Sequence, residues 1–208
     1  MTVLIAGGGI GGLTLALSLH QVGLAARVFE SVDRLAPLGV GINILPHAVR
    51  ELTELGLGRP LEKIGVATAE LAYYSKRGQR IWSEPRGREA GYDWPQISLH
   101  RGKLQMMLRD AVSDRLGPDA ITTGHHLADW REGGGGVQAR FLDKAGGNER
   151  SVSEGALLIG CDGIHSAARA RLYPDEGPPI WNGAVLWRGT SLAPPFLTGR
   201  SMIMAGHE

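Results

Sequence analysis

Five glycines near the N-terminus, Gly7, Gly8, Gly9, Gly11 and Gly12, enclose Ile10, and a carboxylate, Glu30, follows downstream. These types at this spacing suit a ligand that carries a pyrophosphate. Gly7 permits a tight turn, Gly9 lets the main chain approach the phosphates, and Gly12 lets a helix pack against the strand before it. The N-terminus of that helix adds roughly half a positive charge and several N–H groups without intrahelical partners. Glu30 is placed to accept from the hydroxyls of a ribose, and its charge disfavours a 2′-phosphate, so FAD or NAD fits better than NADP. A lone GxGxxG in a chain with 31 glycines can be a chance turn, so the flanking elements decide.

Those elements agree with one βαβ unit. A strand is expected over Thr2–Ala6, a helix over about Gly11–Val22 closed by Gly23, and a second strand over Ala25–Glu30. A second strand–turn–helix follows far along the chain. Ala156–Cys161 reads as a buried-type strand, Asp162-Gly163 as a tight turn, and Ser166–Leu172 as a short helix whose N–H groups would face the same ligand. Asp162 reads equally well as a turn or N-cap residue, and Cys161 as a small hydrophobe. Arg101 opens a helix with Leu104, Met107, Leu108, Ala111, Val112 and Leu116 at helical spacing and Gly117-Pro118 as the stop. An arginine there opposes the helix dipole, which an anionic ligand would rationalise. In Gly39-Val40-Gly41-Ile42-Asn43 the alternate glycines let the backbone pass close to a flat ligand or another strand, unless the stretch is a simple turn.

The remaining segments carry less chemistry. A short helix starts at Pro46 with Val49, Leu52 and Leu55 on one face and Gly56 as its stop. Strands are expected at Glu70–Ser75, Gln79–Ser83 and Gln96–His100, with Lys76-Arg77-Gly78 as a hairpin turn and Glu84–Trp94 as an exposed loop. Trp82, Tyr92 and Trp94 either line an aromatic site or simply pack. Three antiparallel strands, Gly124–Glu132, Val137–Asp143 and Arg150–Glu154, are joined by Gly133–Gly136 and by Ala145–Asn148. His125 and His126 alternate across a strand and do not make a metal pair. Beyond Pro174, Gly183–Ser191 reads as a strand opening a second domain, and Ser201–Ala205 as a strand with nothing left to pair it.

Composition narrows the function class. Across 208 residues, 43% hydrophobic and 21% charged residues are ordinary for a soluble globular protein, and a net charge of +1 argues against a nucleic-acid partner. The single cysteine, Cys161, excludes an intramolecular disulfide and points to a reducing compartment. No run approaches about 18 apolar residues, and no signal segment precedes the first strand, so no membrane association is expected and the expected location is the cytoplasm.

Taken together, Gly7–Leu13 with Glu30, Leu38–Asn43, His100–Gln105 and Gly160–Ser166 with Arg169 resemble the FAD-dependent aromatic hydroxylases, the single-component (class A) flavoprotein monooxygenases. Pro37–Leu57, Trp82–Gly87 and Ser98–Met107 are most similar to the phenazine-carboxylate hydroxylases within that family, with salicylate and hydroxybenzoate hydroxylases more distant. The resemblance implies an α/β fold, a Rossmann-type FAD-binding domain (glutathione-reductase-like) with an antiparallel β-sheet substrate layer, incomplete at the C-terminus. It implies a cofactor domain over 1–68 and 100–173 and a partial substrate domain over 69–99 and 174–208. It further implies hydroxylation of a small aromatic substrate with O2 through a flavin C4a-hydroperoxide, NAD(P)H serving as transient reductant. Cofactor contacts would come from Gly7, Gly9, Ile10, Gly11, Gly12, Glu30, Val40, Gly41, Arg101, Leu127, Asp162 and Gly163. Arg169 is a weaker candidate for meeting NAD(P)H, and a homodimer is compatible. The family's second flavin motif, Gly-Asp followed by small residues and His, does not occur in the 208 residues, so a fragment is expected. An NAD-dependent dehydrogenase and a non-catalytic FAD-binding fragment stand as alternatives.

Overall fold

Val3, Leu4, Ile5 and Ala6 are all buried, which a strand achieves only when both of its faces are covered. The computed structural model describes residues 1–144 and 147–206. Ala145 and Gly146 of the expected Ala145–Asn148 turn lie outside the described residues. In chain order the elements are β1 (Thr2–Ala6), α1 (Ile10–Gln21), β2 (Ala25–Phe29), β3 (Gly41–Ile44), α2 (Pro46–Glu54), α3 (Gly58–Ile64), β4 (Gly65–Thr68), β5 (Glu70–Tyr74), β6 (Arg80–Pro85), β7 (Gln96–His100), α4 (Arg101–Leu116), β8 (Ile121–Thr122), β9 (His126–Gly133), β10 (Gly136–Leu142), β11 (Glu149–Gly155), β12 (Leu157–Gly160), α5 (Ala167–Leu172) and β13 (Ser201–Ala205). They divide into two compact units, Met1–Pro37 with Gln105–Leu186, and Leu38–Leu104 with Trp187–Glu208.

The first unit is built on a parallel sheet in the order β12-β1-β2-β8. Side chains alternate across β1. Ile5 faces α1, whose Leu13, Ala16 and Leu17 are buried, and Leu4 and Ala6 join Phe29, Leu127, Val137, Ala139 and Phe141 in one apolar cluster. That cluster joins the parallel sheet to the antiparallel sheet β11-β10-β9. Phe29 and Phe141 stack at 4.1 Å between ring centroids, a geometry that contributes about 0.5–1.5 kcal/mol beyond the area it buries. The strand expected at Ala156–Cys161 forms as β12, but at the edge of its sheet, so Leu157 is 54% exposed instead of buried.

In the second unit β7 is the middle strand of the antiparallel order β3-β7-β4. The glycine-spaced stretch at 39–43 is therefore not a simple turn, since Gly41–Ile44 pairs with Ile97–His100. Ile44, Ile97 and Leu99 form the apolar side, against which α2 and α3 pack with Val49, Leu52 and Leu61 buried. Residues 38–68 group with 69–104 in this unit, because β3 and β4 take their hydrogen bonds from β7.

The hairpin β5–β6 forms as expected around Gly78, which has φ +78°. The expected exposed loop at Glu84–Trp94 is tied down, since Gly87 is buried with φ +56° and a Cβ there would sit 2.4 Å from the Gln96 amide nitrogen. Ser201–Ala205 does have a partner: it forms β13 and runs parallel to β5, from Ser201 beside Glu70 to Ala205 beside Tyr74. Gly183–Ser191 makes no strand. No ladder among the described residues takes up its backbone groups, and the segment stays exposed.

Candidate cofactor site

The glycine turn is held by its neighbours at Gly7, Gly8 and Gly12. Gly7 has φ +110°, and a Cβ on it would fall 2.2 Å from the carbonyl oxygen of Cys161. The first turn therefore rests directly on the second, the Cys161–Gly163 turn. A Cβ on Gly12 would fall 2.0 Å from the Gly7 carbonyl oxygen and 3.2 Å from Ile5, so only glycine lets α1 sit this low on β1. Gly9 and Gly11 have nothing within 4 Å of a Cβ position and face open space. Gly9 is the N-cap of α1, with no side-chain cap and no acid in the first turn. The N–H groups around Ile10, Gly11 and Gly12 are thus presented without a protein anion, an arrangement ready for phosphate oxygens.

Between these glycines, Gly8 is clamped from two sides. Its N–H donates to Glu30 Oε2 at 2.7 Å, and its carbonyl accepts from Gln105 Nε2 at 2.9 Å. Glu30 Oε1 also accepts from Ser31 Oγ and from the Val32 N–H, both at 3.0 Å. A carboxylate has about four acceptor positions, so these bonds leave roughly one for a ribose hydroxyl rather than two. Gln105 went unnoticed in the sequence as a functional residue.

The second turn works differently from expectation. Asp162 Oδ1 accepts from Ser166 Oγ at 2.5 Å, and Oδ2 accepts from the Ala167 and Ala168 N–H groups at 2.7 and 3.3 Å. Ser166 Oγ accepts from the Arg169 N–H at 2.9 Å. The N–H groups of α5 that were expected to face the ligand are consumed by these two side chains, Ser166 as the N-cap and Asp162 from the turn before it. What the turn offers a ligand is main chain at Asp162 and Gly163; Gly163 has φ +80° and open space around it. Burial pushes the half-buried Cys161 thiol up, and the Asp162 charge adds to that. Leu127 is 2% exposed inside the apolar cluster, so its side chain is core and only its backbone can serve a ligand. Arg169 makes a two-bond pair with Glu176, which raises its pKa and lowers that of the carboxyl.

In the second unit, Val40, Gly41 and Arg101 are neighbours. The Arg101 N–H donates to the Val40 carbonyl at 2.8 Å, and a Cβ on Gly39 would lie 3.5 Å from the Arg101 side chain. His100 Nδ1 accepts from the Gly102 N–H at 3.1 Å, which caps the first turn of α4. Gly41 faces open space, as a residue beside a flat ring would. The structure thus groups Gly7, Gly9, Ile10, Gly11, Gly12, Glu30, Asp162 and Gly163 in one unit and Val40, Gly41 and Arg101 in the other, with α4 divided between them after Leu104. Of the three aromatics weighed as a site, Tyr92 and Trp94 line a cavity of about 570 Å³ with His47, Arg50 and Arg86, whereas Trp82 packs beside Tyr73 at 5.6 Å.

The chain is 44% identical over 207 residues to the phenazine 1,6-dicarboxylic acid hydroxylase PhzS of Lysobacter antibioticus, covering 99% of this chain and 51% of that protein. It is 37% identical over 190 residues to the aurachin C monooxygenase/isomerase of Stigmatella aurantiaca, covering 91% and 47%. Among solved structures, Klebsiella pneumoniae HpxO complexed with FAD and uric acid superposes with a TM-score of 0.67 at 28% identity, covering 82% of this chain and 41% of that one. The chain spans about half the length of the curated relatives it matches. The FAD binding domain model matches residues 1–178, which include both turns and the uncapped end of α1, so the chain belongs to the FAD binding domain family.

Proposed function

We propose that this protein is the FAD-holding part of a monooxygenase that hydroxylates a small aromatic substrate of phenazine, salicylate or hydroxybenzoate type. The observation that carries the reading is the uncapped N-terminus of α1, with Gly12 buried against Gly7 and open space at Gly9 and Gly11. Relatives named as hydroxylases and monooxygenases support it over an NAD-dependent dehydrogenase.

In this reading the Gly9–Gly12 main chain binds the pyrophosphate and the last acceptor position of Glu30 takes a ribose hydroxyl. Arg101 neutralises phosphate near the ribityl chain, main chain at Leu127, Asp162 and Gly163 lies along the cofactor, and Val40 and Gly41 flank its ring. Bound FAD supplies the oxygen chemistry. The balance is one ring C–H, one NAD(P)H, one proton and one O2 converted to a ring C–OH, NAD(P)+ and water. No helix among the described residues is long and apolar enough to cross a membrane, and the single cysteine fits a cytoplasmic setting.

The test is direct. Purified protein should take up FAD to about one per chain by its visible absorbance, and an aromatic acid should stimulate NADH or NADPH oxidation, with one labelled oxygen atom from O2 in the product. Protein that takes up no FAD would sink the reading for this chain. FAD uptake without any substrate-stimulated oxidation would favour a binding fragment.

A further inference from the structure

The sheet β3-β7-β4 has one apolar side and one polar side, and on the polar side only Gly41 and His100 belong to the site described so far. Register and alternation put Gly41 and Asn43 of β3, Gln96, Ser98 and His100 of β7, and Val66 and Thr68 of β4 on the same face. A polar sheet face ordinarily looks at water. Here Thr68 is 3% exposed and its partner Gln96 2% exposed, while Asn43 and Val66 are exposed, so the polar face is closed where Thr68 meets Gln96 and open around Asn43.

A chain of hydrogen bonds runs between these ends. Thr68 Oγ1 lies 2.5 Å from Ser98 Oγ, and Ser98 Oγ donates to Asn43 Oδ1 at 2.6 Å. Because the Ser98 proton is committed to Asn43, Thr68 is the donor in the first bond. The directions are therefore fixed, Thr68 to Ser98 to Asn43. Asn43 Nδ2 then donates to Met202 Sδ at 3.0 Å, a thioether that is a weak acceptor. Beyond these bonds Asn43 keeps one amide N–H and one carbonyl lone pair at the open end. The amide passes no proton onward, so the arrangement orients a ligand and does not relay protons.

We propose that Asn43, fixed by Ser98 and Thr68, recognises a neutral ring hydroxyl on the aromatic substrate. The inference rests on the monooxygenase reading for its ligand class. A hydroxyl carries one donor and one acceptor, which matches what Asn43 has left. The polar face offers amides, hydroxyls and His100, whose Nδ1 already accepts from the Gly102 N–H, and no lysine or arginine, which suits a neutral group better than a carboxylate. Asn43 is exposed and lies two residues beyond Gly41 on the same face, so a substrate ring beside the cofactor ring can reach the amide. Asn43 and its support are thus specificity-determining residues.

The probes are 1-hydroxyphenazine and 1-methylphenazine, near-isosteres that differ in the hydroxyl, titrated calorimetrically with FAD content read from absorbance in the same samples. The unaltered chain should bind the hydroxyl compound about tenfold more tightly, the worth of one to two neutral hydrogen bonds. Asn43→Leu should bring the ratio to about one, and Ser98→Ala should reduce it to roughly threefold by freeing the amide to turn. Asn43→Ser serves as a second variant, also lowering the ratio, should leucine perturb folding. Equal affinities in the unaltered chain, or a ratio unchanged in the Asn43 variants, would overturn the inference. A chain that takes up no flavin yet keeps the hydroxyl preference would count against the monooxygenase reading alone.

Discussion

The backbone N–H of Gly8 donates to Oε2 of Glu30 across 2.7 Å, so the acid expected to hold a ribose also holds the phosphate turn in shape. Removing the carboxylate takes away both services. Glu30→Ala should raise the Kd for FAD about 10- to 100-fold, the worth of roughly 1.5–3 kcal/mol for a charge-assisted bond. Glu30→Gln, which keeps an acceptor for Gly8, should lose less. A fluorescence titration of FAD checks both, and an unchanged Kd in the alanine variant would show that the carboxylate serves neither the ribose nor the turn.

Gly11 and Gly12 are adjacent and should behave oppositely on substitution. A methyl group at Gly12 would collide with the Gly7 carbonyl, so Gly12→Ala should lower stability by about 1–3 kcal/mol in a urea melt. Gly11 meets nothing within 4 Å and lies in a helix, so Gly11→Ala should be neutral or stabilising by up to about 1 kcal/mol. The same variant should nonetheless weaken FAD uptake if phosphate lies over that open space. A stable Gly11→Ala protein with full FAD affinity would place the phosphates elsewhere.

Asp162 carries α5. Asp162→Ala should cost about 1–2 kcal/mol and expose the amides of Ala170 and Tyr173, which bond to the Ser166 and Arg169 carbonyls in this helix. Hydrogen exchange resolved by residue is the measurement. Asp162→Asn, which keeps one acceptor oxygen, should show a smaller effect on the same amides.

The Arg169–Glu176 pair gives the end of α5 an acid limb. The Arg169 hydrogen bond, and behind it the Arg169 charge, hold the Glu176 carboxyl below its ordinary 4.5 despite an opposing desolvation, while the pairing raises Arg169 itself, which stays charged throughout. A carboxyl depressed in the folded chain stabilises it fully above the ordinary value. That support declines as pH falls from there through the lowered value. An NMR titration of Glu176 should therefore show its midpoint displaced to low pH, returning toward 4.5 in Arg169→Gln and on adding salt.

The parts that were legible in the sequence are those where local chemistry and pairing agree. The first βαβ unit could be read because Gly7 and Gly12 need their hydrogen side chains and Leu13, Ala16 and Leu17 repeat at helical spacing. The sheet β11-β10-β9 could be read from alternation and from the glycines between its strands. Two elements had no local signal. The strand β8 is two residues long and exists because Val28 and Phe29 offer it a parallel edge, and α3 contains Gly58 and Pro60 yet forms because Leu61 is buried beneath it. In the site, Glu30 and the glycines were visible from spacing. The clamp of Gln105 on Gly8 was not, because a glutamine on a helix has no period that marks it.

The pairing of β13 with β5 joins Ser201 to Glu70 and Ala205 to Tyr74. On a ribosome delivering roughly 5–20 residues per second, about 6–25 s separate the emergence of these two strands. Through that interval the outer edge of β5 has no ladder of its own, with β6 already on its other side. The hairpin then presents an open row of amides and carbonyls to any neighbouring nascent chain. Closing that edge against aggregation therefore waits on β13, a strand made 131 residues after its partner.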